Sequence, residues 1–165
     1  MKKKKWIILL GILFIAVLII VVIRTNLIVK TGNVLFYLEE KYYGKNTMIE
    51  IETGQLENLI DAKESFAVFV HEPMCSASYS FHKVLLEFGE KNNLSFFKIT
   101  FEEMASTELG KKVKYYPSFV IFQEGEPVAY LDAESDAHLP YYETVEGFAQ
   151  WFGRYVKLNE GERDE

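Results

Sequence analysis

The residues best placed to do chemistry are one cysteine and its neighbours, Cys75-Ser76-Ala77-Ser78. Cys75 stands where an apolar run, Ser65 to Val70 (SFAVFV), and the turn His71-Glu72-Pro73-Met74 give way to Ala77, Phe81, Val84, Leu85 and Phe88 at helical spacing. A thiol at the start of a helix meets unpaired amides and the positive end of the helix dipole. Both favour the thiolate, which is the nucleophile. Ser78, one turn on, can donate a hydrogen bond to that sulfur but cannot attack a disulfide formed there. Cys75 is the chain's one cysteine, so no internal disulfide can form. Tyr115-Tyr116-Pro117-Ser118, with its proline 42 positions beyond Cys75, opens another apolar run. Its two tyrosines read either as strand-edge packing or as a peptide-binding platform beside the thiol.

Other reactive residues point to less. Met74 reads as a flexible apolar lip, since one cysteine with a scattered methionine and histidine lacks the repeated spacing of metal sites. His71 is either a solvated residue at a strand's end or a partner for the thiolate, and His82, seven residues after Cys75, is the weaker candidate. Asp132, Glu134 and Asp136 share a loop without the glycine and bidentate glutamate of a calcium loop, so a solvated loop is expected. No phosphate loop, serine elbow or dinucleotide fingerprint occurs. No cofactor and no metal are therefore expected.

The elements that must position these residues alternate in type. Met48 to Glu52 alternates apolar and acidic residues, and Thr53 is expected to cap a helix carrying Leu56, Leu59 and Ile60. After the Ser65 to Val70 strand and the Cys75 helix, Ser95 to Thr100 (SFFKIT) reads as a strand. Thr100 with Glu103 then fits a capping box opening a short helix. Ser118 to Phe122 and Pro127 to Leu131 flank a turn containing Gly125 and read as a hairpin. Val145, Phe148, Ala149, Phe152 and Val156 mark a last helix. The order βα, βα, βα, ββ, α predicts a mixed sheet with helices on both faces.

A different kind of segment precedes this domain. Trp6 to Ile23 is 18 residues without a charge, about the least that crosses a bilayer core as a helix. It ends in Val21-Val22-Ile23-Arg24 with no small-residue cleavage pattern, which favours an uncleaved anchor over a secretory signal. Lys2 to Lys5 precede it, so residues 1–5 are expected in the cytoplasm, residues 6–23 in the membrane and the rest outside. Residues 24–47 read as a juxtamembrane stalk, helical over Val34 to Tyr43 until Gly44. Residues 48–158 form the folded domain and 159–165 a polar tail. The net charge of -6 hides an asymmetry: residues 1–30 hold six of 18 Lys and Arg and no acid, leaving 12 bases against 24 acids beyond them. A domain so acidic is not expected to bind nucleic acid.

From Met48 to Val156 the chain resembles the thioredoxin superfamily. The resemblance rests on the strand ending at His71, the Glu72-Pro73-Met74-Cys75 helix opening, the Tyr116-Pro117 pair and the Phe122-Gln123-Glu124-Gly125-Glu126 hairpin. With its anchor it is similar to the membrane-tethered thiol-disulfide oxidoreductases of Gram-positive bacteria, some of which accompany bacteriocin production. The resemblance implies a thioredoxin-like α/β sheet, Cys75 as nucleophile, a cis-proline at Pro117, and contacts to an extended substrate from Met74, Tyr79, Tyr115 and Tyr116. It also marks departures. Ser78 replaces the second cysteine, Phe69 the buried acid, Met74 the aromatic before the nucleophile and Lys83 the mid-helix proline, while Lys98 matches the family's lysine. These departures argue against efficient dithiol reduction. A single thiol suffices for isomerisation, so a disulfide isomerase or oxidoreductase of exported cysteine-containing proteins is expected. The alternatives are a non-catalytic module for extended peptides and an accessory or immunity component of a peptide export system.

Overall fold

The structure, a computed structural model, describes residues 35–158. The expected anchor at Trp6 to Ile23 and the tail at 159–165 lie outside the described residues. Among the described residues no helix is long and apolar enough to cross a membrane.

Five strands form one sheet: β1 (Met48–Glu50), β2 (Phe66–His71), β3 (Phe96–Thr100), β4 (Ser118–Gln123) and β5 (Glu126–Leu131), in the spatial order β1-β3-β2-β4-β5. The β1–β3 and β3–β2 pairs are parallel, whereas β2–β4 and β4–β5 are antiparallel. The helices are α1 (Thr53–Asp61), α2 (Ser76–Asn92), α3 (Phe101–Ala105), α4 (Leu139–Glu143) and α5 (Val145–Phe152). All six residues of β2 are buried, as its uninterrupted apolar run requires of a strand covered on both faces. The edge strand β5 instead alternates exposed and less exposed positions and tolerates Pro127. Its turn places Glu124 at φ 51° and Gly125 at φ 80°, the paired positive values of a type I′ hairpin.

Aromatic rings fill the core. Phe119 lies 4.9 Å from Phe148 and 5.2 Å from Phe96 in edge-on contacts, with Phe88 and Phe152 completing the cluster. On α2 the buried apolar stripe is Phe81, Leu85 and Phe88, while Val84 is half-buried and Ala77 exposed.

Several local expectations are corrected. The cap of α1 is Glu52, in a reciprocal capping box with Gln55, and not Thr53. Thr53 is turned to Glu103, whose carboxylate accepts from both its amide, at 3.0 Å, and its hydroxyl. That contact also breaks the expected Thr100 and Glu103 box: Thr100 Oγ1 accepts from the Glu103 amide at 3.2 Å, but the Glu103 side chain is engaged elsewhere. The last helix ends at Phe152, and Val156 forms a parallel bridge with Phe36. The first part of the expected stalk, residues 24–34, also lies outside the described residues; among its described residues, 35–47, Glu40–Tyr42 is the one helical turn, a 3-10 turn. Leu38 and Tyr42 are buried in the domain's core, whose apolar surface offers them more than a free helix would.

Candidate functional site

The register of β2 and β4 sets the site. Val70 pairs with Ser118 and His71 with Thr100, so the segments that follow β2 and precede β4 leave the sheet at the same end. Cys75 and the Tyr115 to Pro117 segment share that end.

Cys75 is the N-cap of α2, and its carbonyl accepts from the Tyr79 amide at 3.0 Å. Its side chain is partly exposed. The thiol is held below its ordinary pKa chiefly by the Ser78 amide, with the Ser78 hydroxyl and the Ala77 amide adding to the effect; burial and the Glu72 charge oppose it. Ser78 is buried, and its Oγ accepts from the Glu72 amide at 3.1 Å. With that acceptor position used, the hydroxyl's own proton is free to serve the sulfur.

Met74 is 94% exposed, the most open large apolar side chain among the described residues. Tyr79, Tyr115 and Tyr116 are also exposed. Tyr116 packs its ring 5.0 Å from Phe101 at the start of α3. Tyr79 lies under Lys83 Nζ, 4.4 Å from its ring centre. Pro117 is buried, and the Tyr116–Pro117 peptide is cis. Tyr142 of α4 donates to the Pro117 carbonyl at 2.9 Å and packs 4.6 Å from Phe81 of α2, tying the proline segment to the cysteine helix.

A cleft of about 270 Å³ is lined by Glu72, Pro73 and Ser78, which flank Cys75 in sequence, and by Glu50 and Lys98. Glu50 Oε2 lies 2.7 Å from Lys98 Nζ, and this contact, ahead of other effects, holds the Glu50 carboxyl below its usual range. Glu50 Oε1 is 3.3 Å from His71 Nε2 but is not aligned as a hydrogen bond, so the contact is electrostatic only. Phe69, where the resemblance would place an acid, lies between the near-parallel rings of His71 and His82, 5.4 and 5.9 Å away. Burial lowers the pKa of both histidines, and the Lys98 charge lowers it further.

Sequence reasoning missed Glu50, and it ranked His82 lowest although His82 shares the cleft with His71. The parallel Glu50–Lys98 pairing could have been found only by aligning two strands not adjacent in sequence. Tyr142 was missed too, although Pro140 in the first turn of α4 is a helix-start signal. The acidic loop is occupied with its own turn: Asp132 Oδ1 accepts from the Glu134 amide at 3.0 Å, and His138 Nδ1 from the Asp132 amide at 3.0 Å. Among the described residues no three His, Cys, Asp or Glu side chains are grouped so as to hold a metal ion.

Chemically, the arrangement presents a partly exposed thiolate-prone sulfur at a helix start, with a hydroxyl in place of a second thiol. No family model and no curated protein matches the chain. Solved structures do match. A point-mutant thioredoxin from Halobacterium salinarum aligns with TM-score 0.51 and 17% identity, over 70% of this chain and 96% of that one. The reduced thioredoxin pre-protein of Schistosoma mansoni aligns with TM-score 0.46 and 22% identity, over 56% of this chain and 91% of that one. Identity at this level speaks to architecture alone, and with the sheet order and register above the Halobacterium salinarum match shows that the domain has a thioredoxin-like fold.

Proposed function

We propose that the protein is a membrane-anchored, outward-facing thiol-disulfide exchange protein in which Cys75 acts as a single nucleophile on exported cysteine-containing proteins. The observation that carries this reading is Cys75 as the N-cap of a 17-residue helix, its pKa lowered by the Ser78 amide and hydroxyl. Its thiolate attacks a partner's disulfide; a new Cys75–partner bond forms and the displaced partner cysteine leaves as thiolate. If that thiolate attacks a different partner disulfide, and the rearranged chain then expels Cys75, the result is isomerisation with no net electron transfer. Pro117 and the exposed Met74, Tyr79, Tyr115 and Tyr116 would guide an extended chain past the sulfur. Residues 6–23 would hold the domain at the outer membrane face.

The test is capture. Wild-type cells should accumulate mixed disulfides on non-reducing gels. Cys75→Ser should abolish them, and Ser78→Cys should diminish them by supplying a resolving thiol one turn away. A membrane-impermeant maleimide should label Cys75 on intact cells. Absence of any Cys75-dependent adduct, with full function in Cys75→Ser, would refute the exchange reading. The second reading, a non-catalytic peptide-binding module, is favoured by one observation: Tyr79, Tyr115 and Tyr116 are exposed while position 69, where the resemblance would place an acid, holds a buried phenylalanine.

A further inference from the structure

The chain's own chemistry stops at the mixed disulfide, because Ser78 stands where a resolving thiol would attack. Release by reduction therefore requires a thiol from outside, and the cleft lined by Glu72, Pro73 and Ser78, the near neighbours of Cys75 in sequence, has the features of a place to hold one. It shares Ser78 with the sulfur's surroundings: Ser78 lines the cleft, and its amide and hydroxyl act on Cys75. Its lining also includes a carboxylate and an ammonium, Glu50 and Lys98, 2.7 Å apart, with the Glu50 side chain 53% exposed. Each has capacity to spare, since a carboxylate accepts several hydrogen bonds and an ammonium donates three.

Deeper in the cleft, His71 and His82 have buried Nε2 atoms that lack hydrogen-bond partners, and His71 is more than nine-tenths buried. Buried polar atoms without partners are costly and uncommon. Two lining one cleft point to an occupant that brings polar groups of its own. Burial keeps both imidazoles from charging readily, so the fixed charges that a ligand meets are the carboxylates of Glu50 and Glu72 and the ammonium of Lys98, with Glu50 and Lys98 forming the opposite-charge pair. An α-ammonium and an α-carboxylate on one carbon match that pair, the imidazoles adding hydrogen bonds to the carboxylate.

We propose that this cleft binds the amino-acid head group of a small aminothiol such as free cysteine, which acts as the external resolving thiol for Cys75. The proposal rests on the reading of Cys75 as an exchange nucleophile. The aminothiol's thiolate attacks the Cys75 sulfur of the mixed disulfide; the bond to the partner breaks and the partner's cysteine leaves as thiolate. A second aminothiol attacks the small-molecule sulfur, forming its symmetrical disulfide and returning Cys75 as thiolate. Overall the partner's disulfide gains two electrons and two aminothiols are oxidised to one disulfide.

The experiment runs this exchange backwards on the full-length protein in detergent. The rate at which Cys75 is modified by cystine is compared with the rate for hydroxyethyl disulfide, which has the same reactive bond without the charged head groups. The ratio of the two rates is set against that of a free small thiol. Wild type should favour cystine by about tenfold over that reference, the equivalent of one well-made charged contact. Glu50→Gln and Lys98→Met, shown to be folded by their thermal melts, should each bring the ratio close to the reference. A wild-type ratio equal to the reference overturns the proposal, as does a preference that survives in both variants. If Cys75 reacts with neither disulfide faster than the free thiol does, the exchange reading fails with it, and that outcome is distinguishable from loss of the preference alone.

Discussion

Replacing Ser78 by alanine removes one oxygen with two tasks, and each task has its own readout. The side chain is 3% exposed and accepts from the Glu72 amide at 3.1 Å. Its loss leaves that amide unpaired in a partly buried turn, at a cost of roughly 1–2 kcal/mol. For a domain of this size that corresponds to a fall in Tm of about 4–8 °C. The same change removes the hydroxyl's contribution to lowering the Cys75 pKa while keeping the larger effect, that of the residue-78 amide. The thiol pKa should therefore rise, yet stay below that of a free cysteine, about 8.5. The assay is the pH dependence of Cys75 alkylation by iodoacetamide, beside a thermal melt of the same sample. The half-maximal rate should move to higher pH as Tm falls. A profile that does not move while Tm drops would show that the hydroxyl serves only the Glu72 amide, and the account of Cys75 activation would lose one of its three supports. A profile already at the free-cysteine value in wild type would remove them all.

Phe119→Ala should cost about 3–5 kcal/mol, read from denaturant unfolding, because the ring is fully buried among Phe96, Phe148 and Phe152. Gly125→Ala should destabilise by more than about 1 kcal/mol, since the residue sits at φ +80° and an added Cβ would come 2.3 Å from the Ile60 carbonyl oxygen; a melt like that of wild type would contradict the hairpin geometry. Stability should fall as pH drops through about 6.5, the unfolded histidine value, because His71 and His82 resist protonation in the folded chain but not in the unfolded one. His82→Phe should flatten that part of the curve, and an equally steep curve in the variant would show that His82 is not among the groups responsible.

Much of this architecture was legible because single segments carried it. The β2 run is apolar at every position and the α2 stripe repeats at helical spacing, so burial follows from local pattern alone. The hairpin was legible from Gly125 between two apolar runs. Errors fell where two signals of equal local strength competed. Thr53 and Glu52 are both able to cap α1, and the choice was made by Glu103, 50 residues from Thr53, drawing the threonine away. The stalk helix failed for a similar reason: Leu38 and Tyr42 gain more by entering a core than by continuing a helix, and no local pattern records that a core is within reach.

By itself the sequence determined which atoms are available: one thiol, a hydroxyl three residues later, a phenylalanine in place of the acid, and the alternation of elements that puts Cys75 at a helix start. Those are properties of residue type and short-range spacing, and side-chain chemistry and local hydrogen bonding suffice to read them. Only the tertiary structure decided what surrounds the sulfur. The parallel pairing of β1 with β3 sets Glu50 against Lys98, α2 packed on the sheet brings His82 to Phe69, and α4 delivers Tyr142 to the Pro117 carbonyl. Each of these contacts joins segments far apart in the chain. Their formation depends on burying shared apolar surface, a collective property of the whole core that no window of sequence contains.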